Sequence, residues 1–213
     1  MAKKLLWASL ILVALLFVGM VASYFVLFRV FNVPTGNMAN TIVPGERVVC
    51  VMHVGEIKRG DIIVFKYPQD PKVSYLKRVI GLPNETVQLR GSSVLINGKE
   101  LLEARTFVEI ELDNQKRALR EFASEGAGPY RVYYDHERRK AAEAFEAGNA
   151  KYGVKEPFQI PAGHYFVLGD CRDNSLDSRY WGPLSQDLIL GKALMIMATE
   201  DPSRRGKLFQ PLK

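Results

Sequence analysis

"HYFVLGDCRDNSLDSRYWGP", residues 164–183, runs an apolar strand straight into a loop crowded with charge. His164 to Asp170 has the aromatic and β-branched content of a strand. Asp170, Arg172, Asp173, Asp177 and Arg179 then fall within ten residues, and Tyr180-Trp181 closes the loop. A solvated, turn-rich loop would account for the polar residues alone. Charges held between an apolar strand and an aromatic pair point instead to ion pairs within a structured loop beside a site. Paired-carboxylate chemistry would have to use Asp170, Asp173 or Asp177, and their interleaved arginines argue for salt bridges.

The same strand signal recurs along the chain. "RVVCV" (Arg47 to Val51), "DIIVFKYP" (Asp61 to Pro68) and "YLKRVIGLP" (Tyr75 to Pro83) are short Val- and Ile-rich runs bounded by turn residues. "VLINGKEL" (Val94 to Leu101) reads as a hairpin turning at Asn97-Gly98. "FVEIEL" (Phe107 to Leu112) alternates with period two, and "ILGKALMIMA" (Ile189 to Ala198) adds a further strand. The pattern predicts a mainly β fold. Asp113 to Glu156 differs, being charged, alanine-rich and broken by Gly126, Gly128 and Pro129. Within it "HERRKAAEAFEAG" (His136 to Gly148) has the composition and glycine stop of a helix. The chain thus divides into an N-terminal segment, 1–29, a β-rich core, 30–100 and 160–213, and an inserted α+β cap, 101–159. It shows no internal repeat.

The N-terminal segment carries Lys3 and Lys4 and then "LLWASLILVALLFVGMVASYFVLF", Leu5 to Phe28, without a charge. As a helix this run rises about 36 Å, enough to cross a hydrocarbon core of about 30 Å. The apolar run continues past "VAS" at Val21 to Ser23, which favours an uncleaved transmembrane helix over a removed signal peptide. Lys3 and Lys4 favour a cytoplasmic N-terminus, so the remaining chain faces outward. The 29 Lys+Arg and 23 Asp+Glu residues give a net charge of +6, suited to an anionic lipid bilayer. No basic stretch interleaved with aromatics and no zinc-finger spacing supports nucleic-acid binding. Cys50 and Cys171 are far apart, which suits two free thiols and no zinc site. His53, His136 and His164 have no metal-ligand or triad spacing. No cofactor is expected.

Two further stretches invite chemistry. Lys77 lies inside an apolar strand next to Arg78, and alternation should turn one of the two inward. A buried lysine sheds its proton easily and can act as a general base; an edge strand with both charges in water fits the pattern equally. "VPTGNMANTIVPG" (Val33 to Gly45) sets Thr35, Gly36 and Thr41 around Asn37-Met38. Glycine beside a polar residue allows close backbone approach to a substrate, although an ordinary linker would look the same.

Taken in order, "PTGNMANTI", "RGDIIVFKYP", "YLKRVIGLPNETV" and "GHYFVLGDCRDNSLDSRYWGPL" resemble bacterial type I signal peptidase, a membrane-bound serine protease that removes signal peptides from exported proteins. The resemblance runs from about Val33 to about Ala193, with the middle matching only as a variable cap. It implies a β-rich catalytic core beside the membrane and a Ser/Lys dyad that works through an acyl-enzyme. Carried over by motif, Lys77 is the general base and Thr35 the hydroxyl that helps the backbone N–H of residue 37 bind the oxyanion. Ser175 is the serine that orients the lysine, Asp177 and Arg179 the charged pair that braces the site, and Met38 the neighbour of the substrate groove. The implied partners are pre-proteins with small residues at the first and third positions before the cut, bound as an extended strand by a monomer in the bacterial inner membrane, catalytic domain on the periplasmic side.

Three residues depart from that family's pattern. Cys171 replaces an asparagine, Asn40 replaces a proline and should loosen the turn, and Asn37 stands where the nucleophilic serine belongs. An amide cannot form an acyl ester, although it still donates and accepts hydrogen bonds. The resemblance therefore leaves two readings: a peptidase that removes signal peptides, with Thr35 or Thr41 as substitute nucleophile, or a membrane-tethered homologue that binds signal peptides or a membrane partner without cutting.

Overall fold

The computed structural model describes residues 2–52, 55–109, 118–136, 150–153 and 156–212. The described residues form fourteen strands, the expected ones among them. They are β1 (Phe28–Asn32), β2 (Arg47–Val51), β3 (Ile62–Tyr67), β4 (Asp70–Gly81), β5 (Thr86–Arg90), β6 (Ser93–Ile96), β7 (Lys99–Glu100), β8 (Ala104–Val108), β9 (Glu121–Glu125), β10 (Arg131–Asp135), β11 (Phe158–Gln159), β12 (His164–Leu168), β13 (Leu184–Ser185) and β14 (Ile189–Ala198). Helix α1 spans Ala2–Leu27, and a single turn, α2, spans Ser178–Trp181.

The largest sheet has seven strands in the order β1-β2-β14-β3-β4-β12-β13, every neighbouring pair antiparallel. β11-β5-β6-β7 form a second sheet, and β10-β8-β9 a third. The hairpin expected at Asn97-Gly98 joins β6 to β7, and both turn residues take positive φ, 51° and 76°. That is the backbone a two-residue turn demands and these residue types tolerate.

Alternation along β3 sorts the core. Ile62 and Val64 join Val33, Met38, Ile42, Val48 and Cys50 in one apolar cluster, while Ile63 and Phe65 join Ile57, Val79, Tyr165, Val167 and Leu184 in another. A third cluster, including Ile80, Val94, Phe107, Val132 and Phe166, packs the two smaller sheets onto the large one. β3 is thus covered on both faces, which is why its sequence is a continuous apolar run rather than an alternating one.

Several expectations change. The apolar helix gives way to strand at Phe28, which pairs with Val51. The described side chains of α1, Trp7, 10–19 and 26–27, are exposed. Among the described residues no helix is long and apolar enough to cross a membrane. The transmembrane expectation is not borne out here and rests on sequence alone. "FVEIEL" is strand only to Val108, and 110–117 lie outside the described residues. So does nearly all of the helix expected at 136–148. The described parts of the inserted cap are strands.

Gly191 lies at a close backbone approach within the large sheet: a Cβ there would sit 2.3 Å from the Val51 carbonyl oxygen, whereas one on Gly206 would meet nothing within 4 Å. Gly191→Ala is expected to cost about 1–3 kcal/mol of stability, the usual range for overpacking. Gly206→Ala should leave the urea midpoint unchanged, and equilibrium unfolding of both variants checks this.

Candidate active site

β4 brings Lys77 and Arg78 to the place where β12 joins the sheet, Lys77 opposite Ile63 and Arg78 opposite both Ile62 and Leu168. One of the two was expected inward; both are, Lys77 at 1 % exposure and Arg78 at 0 %. The strand is covered on both faces here, so alternation buries each on its own side. Arg78 donates to Asp170 through Nε (2.7 Å) and Nη2 (2.6 Å) and to the Gly60 carbonyl (2.7 Å), and stacks 4.3 Å from the Tyr130 ring centre. Burial works against its charge, but Asp170 more than compensates and holds it protonated.

Lys77 lacks such a partner. The carboxylates whose fields reach it, Asp177 and Asp170, are bound by Arg179 and Arg78. Burial pushes its amine down to about 8, with Asp177 pulling upward and Arg179 downward. Asn37, in the short 3₁₀ turn Gly36–Met38, meets it directly. In the amide orientation that the surrounding network selects, Asn37 Oδ1 accepts from Lys77 Nζ at 3.0 Å and Asn37 Nδ2 donates to the Asn174 carbonyl at 3.0 Å. The Cys171 N–H donates to the Asn37 carbonyl at 3.1 Å. Lys77 and Asn37 therefore meet at hydrogen-bond distance, a buried amine against a side-chain amide.

The other expected residues gather around this pair. Thr35 is exposed at the start of the turn, and its hydroxyl makes no capping bond to it. Thr41 donates its hydroxyl to Asp170 Oδ2 at 2.6 Å, which directs it away from any role as substitute nucleophile. Ser175 is buried in the site, but its Oγ has no hydrogen-bond partner among the described residues. The expected bond from Ser175 to Lys77 is thus not formed; Asn37 takes the lysine instead. Gly169 makes this crowding possible, since a Cβ there would lie 2.2 Å from Ser175 Oγ and 2.5 Å from the Asn37 carbonyl oxygen. Asp177 receives Arg179 Nε (2.8 Å) and Nη2 (2.9 Å) and the Gly169 N–H (3.0 Å). Burial alone would raise its pKa, but Arg179 and the Gly169 N–H bring it below the usual carboxylate value. Met38 is 2 % exposed and sits in the apolar cluster beneath the turn rather than on an open surface. Cys50 and Cys171 are free and buried, and burial raises each thiol to about 12. Among the described residues no cluster of His, Cys, Asp or Glu could hold a metal ion.

The supports from outside the motifs are new. Asn40 was expected to loosen the turn. It is 6 % exposed instead, with Nδ2 donating to the Leu119 carbonyl (2.8 Å) and Oδ1 accepting from the Leu119 N–H (2.6 Å), so it ties the turn to the inserted region. Arg204 donates to the carbonyls of Asn40 (2.8 Å) and Thr41 (2.9 Å) while paired with Glu46 (2.7 Å). Arg172, in the charged loop, pairs with Glu103 far upstream (Nη1 to Oε2, 2.9 Å). No local pattern flags Glu46, Glu103 or Arg204, because their partners lie 69 to 158 residues away.

Asp170→Ala would strand a buried guanidinium, and the expected cost is about 3–5 kcal/mol, measured by urea unfolding. Asn40→Ala should lose the two bonds to Leu119 at a smaller cost, about 1–3 kcal/mol, with faster proteolysis around residue 119 as a second readout.

Comparison with known proteins matches the sequence to a family. The family model described as signal peptidase, peptidase S26, matches residues 4–198. A signal peptidase I of Pseudomonas fluorescens is 33 % identical over 85 % of this chain and 68 % of its own length. Signal peptidase I T of Bacillus subtilis is 30 % identical over 94 % of this chain and 89 % of its own. A signal peptidase I crystal structure from Enterococcus faecalis is 26 % identical over 66 % of this chain and 98 % of that one, with a TM-score of 0.39. With a buried lysine at hydrogen-bond distance from residue 37 and a family match across most of its length, the chain belongs to the signal peptidase family, peptidase S26, whose members are serine endopeptidases.

Proposed function

We propose that this chain is a membrane-anchored signal peptidase homologue that binds the signal peptides of exported pre-proteins and, with Asn37 in the nucleophile's place, does not cut them. The observation that carries the reading is the 3.0 Å contact between Lys77 Nζ and Asn37 Oδ1. It sets a base of lowered pKa against a side chain that has no nucleophilic hydroxyl.

Peptide binding has its own support. Among the described residues, Ser74 to Lys77 pair with β3 on one side only, because β12 joins β4 from Arg78 onward. An extended peptide adding to that open edge would gain backbone hydrogen bonds and end beside Asn37. Its scissile carbonyl would then face the backbone N–H of Asn37 and the exposed Thr35 hydroxyl, the two donors placed to hold an oxyanion. Small residues at the first and third positions before the cut would fit shallow pockets on this edge. The chain acts as a monomer. The apolar run Leu5 to Phe28 would hold it in the bacterial inner membrane, with Lys3 and Lys4 inside and the β-rich domain on the periplasmic side. An active enzyme using Thr41 has no support, since that hydroxyl is committed to Asp170.

Purified full-length chain in detergent, given a pre-protein whose signal ends in Ala-x-Ala, is expected to show no cleavage. Asn37→Ser is expected to gain it, because losing a catalytic nucleophile costs on the order of 10⁶ in rate. The gained activity should vanish in Asn37→Ser/Lys77→Ala. It should also rise with pH and level off above about 8, since only the neutral Lys77 amine accepts the proton. Cleavage by the unaltered chain that Lys77→Ala abolishes would overturn the non-cutting reading, and an inactive Asn37→Ser would overturn the retained site.

A further inference from the structure

A primary amine and a primary amide meet at hydrogen-bond distance here, the amine buried and the amide partly so. Lys77 is 1 % exposed. Its Nζ is 3.0 Å from Asn37 Oδ1, while Asn37 Nδ2 is held by the Asn174 carbonyl at 3.0 Å. The backbones of both residues are held in place. Lys77 is fixed in β4 by its pairing with Ile63, and Asn37 is pinned through its own carbonyl by the Cys171 N–H. We infer that Lys77 and Asn37 join through an intramolecular isopeptide bond that closes the site covalently.

The step balances without any co-reactant. The Lys77 Nζ lone pair attacks Asn37 Cγ and a Nζ–Cγ bond forms. One proton passes from Nζ to Nδ2, the Cγ–Nδ2 bond breaks, and ammonia leaves. Nothing is oxidised or reduced. The surroundings favour each stage. Burial brings the lysine down to about 8, so neutral amine is present near neutral pH. The ionised Asp177, paired with Arg179, supplies negative field where Nζ becomes positive as the bond forms. Holding both groups in one site makes the reaction intramolecular, which accelerates amide chemistry once Nζ moves from Oδ1 onto Cγ. The product also removes an ionisable group from a site where desolvation opposes its charge. Once formed, the bond ties the 36–38 turn to β4 and consumes the only lysine in the site, whether or not a peptide binds.

Intact mass and a tryptic map of the purified full-length chain test this. The expected result is a chain lighter than its sequence by one ammonia, with a branched peptide joining the fragment that contains Asn37 to the one that contains Lys77. Trypsin should no longer cut after residue 77. Lys77→Met and Asn37→Ser should both show full sequence mass, and Asn37→Asp should form the same branch with loss of water. A full-mass parent without a branched peptide would overturn the proposal. So would an ammonia loss that persists in Lys77→Met, because that marks a succinimide at an asparagine. Both outcomes are independent of the cleavage assay, since the Asn37→Ser enzyme carries no amide to react.

Discussion

The buried pair of Arg78 and Asp170 is the interaction on which the rest of this site depends. It joins the middle of β4 to the end of β12, and Thr41 binds the same carboxylate from the 33–45 loop. Three segments far apart in sequence therefore converge on one aspartate. Such a pair gains little net stability over an apolar core, but removing one partner is costly, so it acts mainly by forbidding other arrangements. Its consequence for chemistry is indirect. With Asp170 committed to Arg78, and Asp177 to Arg179, Lys77 has no carboxylate of its own to offset its burial, and burial lowers its proton affinity.

The same logic repeats outward. Arg172 reaches Glu103 in the inserted region, and Arg204 reaches Glu46 and the carbonyls of Asn40 and Thr41 from the C-terminal segment. Each arginine is nearly buried, and each is paired with a carboxylate. The turn bearing Asn37 is thus held by the charged loop, by the inserted region through Asn40, and by the C-terminus. Rigidity of this kind is what a site needs when two groups must meet at hydrogen-bond distance. It also explains how Asn37 is accommodated in the turn: its amide finds the lysine on one side and the Asn174 carbonyl on the other.

Most of the strands were legible because period-two alternation and turn residues are local signals. Asn97-Gly98 turned where its residue types require, and β12 and β14 lie where their apolar runs are. The charged loop at 169–183 was legible as paired, although two of its partners, Arg78 and Glu103, could not be named. Alternation misled at Lys77 and Arg78, since it assumes one wet face and β4 has none there. Asn40 misled in the other direction: as a lone residue it reads as a looser turn, and its partner is a backbone 79 residues away.

By itself, then, the sequence determined the β class, the family and the identity of the residues at the site, because motif spacing and hydrophobic period are carried by neighbouring residues. It also established that residue 37 has no hydroxyl. Only the tertiary structure decided which charges neutralise one another, that Ser175 stays unbonded while Asn37 receives Lys77, and that Thr41 is committed elsewhere. Those outcomes depend on distances between segments that only folding brings together, and the balance of burial against pairing that sets the lysine's proton affinity exists only once they have met.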